Sequence, residues 1–126
     1  MLIERPSHRA ALLARLRQAP VVALLGARQV GKTTLAAQVA RAWKGRVTAF
    51  DLEDPAHLAR LADPDLALRP LRGLVVLDEI QHLPDVFPLL RVLADRRPLP
   101  ARFLVLGSAS PALLQQSSES LAGRIG

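Results

Sequence analysis

The chain has 126 residues, half of them apolar and 22% charged, with a formal net charge of +6. That length and mix suit one globular domain with its own core, and they exclude a disordered or low-complexity chain. Cysteine is absent, so disulfides and thiolate metal sites are excluded too.

In chain order, the start (MLIERPSHR) has no apolar stretch behind a basic region, so no secretion signal is read there. Ser7 is placed to cap a helix that runs to Gln18. Leu12, Leu13 and Leu16 share one face of it, and Arg9, Arg15 and Arg17 the other. Pro20 ends it. Val21 to Leu25 is a short continuous apolar run, as expected of a strand buried on both faces of a parallel sheet. From Lys32, the residues Leu35, Ala36, Val39, Ala40 and Trp43 recur at helical spacing, and Gly45 supplies a stop.

Arg46 to Phe50 reads as a second strand that runs into the acidic turn DLEDP. Pro55 to Leu68 reads as one or two short helices broken at Pro64. Leu74 to Leu77 is a third buried strand. Asp85 to Arg96 is helical, with Leu89, Leu90, Val92 and Leu93 inward. Arg102 to Leu106 is a fourth strand, and a further helix begins at Pro111. Strands alternating with helices predict an α/β fold around a parallel sheet. Ligands of such sheets bind at the carboxyl ends of the strands.

Nearly all the cations are arginine; Lys32 and Lys44 are the only lysines. The arginines are scattered and aromatics make up 3%, so the sequence offers no stacking platform and no basic block. Solvated helix faces are preferred to a nucleic-acid groove on that ground. His8, His57 and His82 have no metal-ligand spacing, which leaves them structural or solvent roles. The apolar runs are too short to cross a bilayer. A cytoplasmic protein with no membrane association is the expectation.

The chemistry is concentrated in GARQVGKTTL, residues 26–35. Glycine, four residues, then Gly-Lys-Thr is the phosphate-binding loop, or Walker A pattern. Gly26 and Gly31 let the backbone curl, so that N–H groups of Gly26, Ala27, Arg28, Gln29, Val30, Gly31, Lys32, Thr33 and Thr34 can face phosphate oxygens. The helix from Lys32 adds its positive end. Lys32 is expected to bridge the β- and γ-phosphates, and Thr33 to set its hydroxyl on Mg²⁺. The four fixed positions arise by accident in about one of a few hundred chains this long. Here they also join a predicted strand to a predicted helix, the context the pattern requires.

LVVLDE, residues 74–79, is the acidic partner motif (Walker B). Asp78 is expected to hold Mg²⁺, directly or through water. Glu79 then stands beside the γ-phosphate, where a carboxylate can polarise an attacking water. A kinase shields that phosphate from water, so the Asp-Glu pair points to hydrolysis. Asp51, Glu53 and Asp54 either face the same site or form a solvated turn before Pro55. Ser108, in GSAS at the end of the fourth strand, is placed to sense the γ-phosphate, and equally to begin a helix.

GARQVGKTTL, FDLEDP, LDEIQHLP, LVLGSAS and SESLAGRIG together resemble one family over nearly the whole chain. It is that of the AAA-type ATPases of bacteria and archaea, on the AAA+ and STAND side of the P-loop hydrolases. In that family the ATPase domain is followed by a C-terminal domain of unknown function. The resemblance implies a three-layer α/β/α P-loop NTPase fold that binds ATP and Mg²⁺. It implies catalytic roles for Glu79 and Lys32, metal roles for Thr33 and Asp78, and a sensing role for Ser108. Gln81, in DEIQ, is implied to read the γ-phosphate or a neighbouring strand. Arg124, in SLAGR, matches an arginine that reaches nucleotide in its own or a neighbouring subunit; the alternative is a surface arginine of the tail. Arg28 and Gln29, filler in the bare pattern, belong to what identifies the family.

Such ATPases have a fifth strand, a lid and a C-terminal domain, and this chain stops at Gly126 before them. Residues 1–126 are therefore expected to be a single, partial ATP-binding domain, with strand order 1-4-3-2 and the first strand at an edge. An exposed apolar edge predicts dimerisation or aggregation. Two functions fit: Mg-ATP binding with slow hydrolysis, or a nucleotide-gated switch with little turnover, read by a partner or by the missing domain. A nucleic-acid motor is a weaker third.

Overall fold

The structure, a computed structural model, describes residues 6–26 and 31–108, with side chains from residue 9 onward. Helix α1 (Pro6–Gln18) leads into β1 (Val21–Leu25), then α2 (Lys32–Ala42) and β2 (Val47–Asp51). Two short helices follow, α3 (Pro55–Arg60) and α4 (Pro64–Leu68), before β3 (Gly73–Asp78). Two single 3₁₀ turns, Ile80–His82 and Pro84–Val86, precede α5 (Phe87–Ala94) and β4 (Ala101–Gly107).

The four strands form one sheet in the order β1-β4-β3-β2, and all pairs are parallel. This is the expected α/β sheet and the expected order. Each parallel step needs a helical crossover, and the alternating sequence provides one. The register sets all four carboxyl ends at one level, with Leu25 opposite Gly107 and Asp51 opposite Asp78.

The period-2 alternation of the strands divides the core into two layers. On one face, Val22, Leu74, Val76, Leu104 and Leu106 pack against Leu12 and Leu16 of α1 and Ala36 and Val39 of α2. On the other, Val21, Val75, Leu77, Phe103 and Val105 pack under α3, α4 and α5, through Leu61, Leu68, Phe87, Leu90 and Leu93. Burying each such side chain contributes about 1.5–3 kcal/mol. Arg102 ties the layers at the strand starts: its Nη1 donates to the carbonyls of Leu16 (2.6 Å) and Ala19 (3.1 Å), at the end of α1. Among the described residues no helix is long and apolar enough to cross a membrane.

Three local expectations change. Helix α1 begins at Pro6, so Ser7 lies in its first turn rather than at its cap. The helix expected from Asp85 starts as a 3₁₀ turn and becomes α only at Phe87. Within it, Phe87, Leu90, Leu93 and Ala94 set the inward stripe, which leaves Val92 half exposed, not inward. The helix from Pro111 lies outside the described residues.

Candidate functional site

The carboxyl ends of β2 and β3 and the start of α2 build one cleft. It encloses about 260 Å³ and is lined by Lys32, Thr33, Asp51, Glu53, Asp78 and Glu79. Four of these are the expected site residues. Asp51 and Glu53 were open between the site and a solvated turn, and both line it. Asp54 does not: its carboxylate caps α3 by accepting from the Ala56 N–H at 2.9 Å.

The two loop glycines differ: the Gly26 N–H, expected to face phosphate, is taken by the sheet, and Gly31 supplies the left-handed turn. The Gly26 N–H donates to the Gly107 carbonyl at 3.0 Å, which carries the β1–β4 ladder up to the first loop residue. Gly31 caps α2 in the left-handed region (φ 74°, ψ 27°), where any other residue would be strained. From there the Leu35 N–H reaches the Gly31 carbonyl and the helix starts. Thr34 is half buried in the first turn. Residues 27–30, expected to line the phosphates, lie outside the described residues, as does Arg124.

Lys32 is the one buried charged side chain among the described residues, at 5% exposure. Its Nζ donates to the Gly26 carbonyl at 2.7 Å. An ammonium out of water is costly unless it has compensating partners, and the Gly26 carbonyl is one of them. Next to it, Thr33 Oγ1 donates to Asp78 Oδ2 at 2.9 Å. One hydroxyl and one carboxylate, both hard oxygen donors, meet at the open side of the cleft. Among the described residues no three His, Asp or Glu side chains converge on one point. The donor set fits Mg²⁺, which takes one or two protein oxygens and completes its shell with water and phosphate.

Asp78 and Glu79 are held by different means. The other Asp78 oxygen, Oδ1, accepts from the Glu79 N–H at 2.9 Å. That turn places Glu79 in the left-handed region (φ 59°, ψ 50°), the only non-glycine residue so placed among those described. Such a conformation costs on the order of 1–2 kcal/mol and persists only where its surroundings fix it. Here they include Gln81. Its Nε2 donates to Glu79 Oε2 at 3.1 Å, and its Oε1 accepts from the Ser108 N–H at 3.3 Å. Gln81 thus bridges Glu79 to the end of β4. Ser108 stands at the end of β4 but does not line the cleft; it meets the site through Gln81.

Two contributors escaped the sequence reading. A Cβ on Gly107 would lie 2.7 Å from Ile80 Cγ2 and 2.9 Å from Gln81 Oε1, so glycine is what lets Gln81 cross to β4. His57 Nδ1 accepts from the Asp51 N–H at 2.8 Å and fixes the end of β2. Only the glycine of LVLGSAS was a visible signal for the first; nothing in the spacing signalled the second.

A family described as AAA domain matches residues 18–126. The chain belongs to that family, the AAA-type P-loop ATPases. Proteins of Mycobacterium bovis and Mycobacterium tuberculosis, both described only as uncharacterized, are 55% identical to it over 125 residues. The match takes in 99% of this chain and 28% of each relative, so the chain spans little more than a quarter of their length. Among solved structures, a Walker-type ATPase of Pyrococcus abyssi is similar with a TM-score of 0.68 at 18% identity, over 99% of this chain and 52% of that one. The P-loop NTPase domain of a sigma-54 transport activator of Escherichia coli gives 0.58 at 21% identity, over 98% and 96%. The ORC2 protein of Aeropyrum pernix gives 0.50 at 22% identity, over 99% and 46%. These likenesses establish the P-loop NTPase fold.

Proposed function

We propose that this domain binds ATP with Mg²⁺ and hydrolyses it slowly. The carrying observation is the contact between Thr33 Oγ1 and Asp78 Oδ2, 2.9 Å, at the mouth of the cleft that also holds the buried Lys32. The fold neighbour from Aeropyrum pernix was solved in ADPNP and ADP complexes, which supports an adenine nucleotide.

In this reading the Gly26–Thr34 backbone curls round the phosphates. Lys32 exchanges the Gly26 carbonyl for phosphate oxygens and offsets charge that develops during transfer. Thr33 and Asp78 hold Mg²⁺, which when bound neutralises the phosphates and orients them. Glu79 accepts a proton from the attacking water. The Gln81 amide donates to Glu79 Oε2 and fixes the carboxylate's orientation toward that water. Arg124 is assigned to the same transition-state charge, from its own or a neighbouring subunit.

A second reading, a nucleotide-gated switch with little turnover, draws support from the Gln81 bridge. Through it, a movement of Glu79 is felt at the Ser108 amide and so at β4. ADP held tightly through a single turnover, without release, would favour the switch.

Thermal unfolding with and without Mg-ATP is the direct test. At a hundredfold excess over Kd, bound nucleotide adds about 2.7 kcal/mol, roughly 10 °C for a chain this size. Lys32→Ala should lose that shift while keeping its own unfolding transition. An equal shift in Lys32→Ala would place the nucleotide elsewhere.

A further inference from the structure

The charges of this chain are unevenly shared. Residues 5–50 contain nine lysines and arginines and no carboxylate, whereas residues 51–126 contain eight and ten. Folding turns that sequence bias into a spatial one, because among the described residues α1 and α2 from the first stretch form the helical layer on one face of the sheet. Lys32 is committed to the nucleotide cleft. Arg15, Arg17, Arg41, Lys44 and Arg46 are all exposed, and none makes an ion pair with a described residue.

Four of the five, all but Arg15, belong to the segments by which α1 and α2 run into β1 and β2. Between those segments lies a cleft of about 220 Å³ lined by Leu13, Arg17, Ala42, Trp43 and Lys44. Trp43 is the only tryptophan in the chain. It packs partly on the α1/α2 core, and it also lines the cleft together with the cations Arg17 and Lys44. The cleft sits at the far end of α2 from Lys32, about 15 Å away by helical rise. It therefore lies apart from the nucleotide site. Favourable interaction with helix carboxyl ends accounts for a basic residue in a last turn, such as Arg41. It accounts for Arg15 and Arg17 in the last turn of α1 as well, but not for Lys44 and Arg46 beyond α2, which pair with no acid among the described residues.

We propose that this basal cleft binds a single-stranded nucleic acid, with one base against the Trp43 indole and the flanking phosphates on Arg17, Lys44, Arg41, Arg46 and Arg15. An aromatic face in a cleft that cations also line is the combination that holds single strands without sequence preference. An acidic protein would use the cations but has no need of the indole.

Because Trp43 is the sole tryptophan, its fluorescence reports directly on this cleft. Titration with an oligodeoxythymidylate of about twelve residues should quench it. Five phosphate contacts predict a slope of about −3.5 for log affinity against log salt, roughly a hundredfold loss between 50 and 200 mM. Arg17→Gln combined with Lys44→Gln alters only exposed side chains. It should lower affinity about 25-fold at 0.1 M salt and flatten the slope by about 1.4. Trp43→Leu, followed by anisotropy of a labelled strand, should lose at least fivefold, and Trp43→Phe should retain binding. Lys32→Ala should bind the strand as the parent does. Absence of quenching, parental affinity in the double glutamine variant, loss of binding in Lys32→Ala, or equal competition by polyglutamate at matched charge would each overturn the proposal.

Discussion

Strands β3 and β2 lie side by side in register, with Asp78 opposite Asp51, yet they carry their acids in different ways. In β3, Leu74, Val75, Val76 and Leu77 are all buried, because helices cover both faces and a strand flanks each side. In β2 only Phe50 is buried, and Val47 is 38% exposed. The last residues of β3 therefore leave a fixed rail, whereas those of β2 leave the margin of the sheet and need the His57 contact to hold them. Chemistry that depends on sub-ångström placement belongs on the first kind of support. In the proposed reaction the difference gives Asp78 and Glu79 the fixed support and Asp51 and Glu53 the acidic outer wall of the cleft.

The largest effect expected from that division is on turnover. Glu79→Gln keeps shape and hydrogen bonding but removes the base, and should reduce ATP hydrolysis 10²- to 10⁴-fold while nucleotide binding persists. Parental hydrolysis by this variant would move the base elsewhere, Asp51 and Glu53 being the next candidates. Stability is the second measure. Leu77→Ala should cost about 2–5 kcal/mol in denaturant unfolding, while Val47→Ala, in a half-open position, should cost under about 1 kcal/mol. Similar costs at both positions would erase the contrast between the strands. Gly107→Ala should destabilise by about 1–3 kcal/mol, because its methyl meets Ile80 and Gln81. It should also slow hydrolysis, since the Gln81 contact with Glu79 moves. The smallest effect is expected of Asp51→Asn: less than about threefold on turnover, against a loss of at least tenfold for Asp78→Asn. Equal losses would make Asp51 a partner of the reaction rather than its wall.

Strands β1 and β3 were legible because each is a continuous apolar run between a proline or glycine and a glycine or acid, and β4 because FLVL follows Arg102 and ends at Gly107. Helix α2 was legible because Gly31 and Gly45 bracket it. The loop and the Asp78-Glu79 pair were legible because their chemistry requires fixed local spacing. What stayed hidden depends on contacts between distant segments. Gln81 and Ser108 are 27 positions apart and meet only when β4 lies beside β3. Whether Asp51 and Glu53 faced the cleft depended on how β2 aligned with β3. Val92 takes the outer position because Leu89, Leu90, Val92 and Leu93, split only by Arg91, leave the inward stripe undetermined until Phe87 docks. The arginines looked scattered because α1 and α2 are separated in sequence by a strand and a loop, and neighbours only in space.

The left-handed backbone at position 79 sets endurance against activity. Glycine would suit that turn better than glutamate by roughly 1–2 kcal/mol, and asparagine would tolerate it more readily. Selection for thermal resistance alone would therefore drift away from glutamate there. A lineage that keeps the carboxylate accepts a less durable fold in return for a proton acceptor. Relatives in which this position has become glycine are the ones in which to look for a domain that still holds nucleotide but has given up cleaving it.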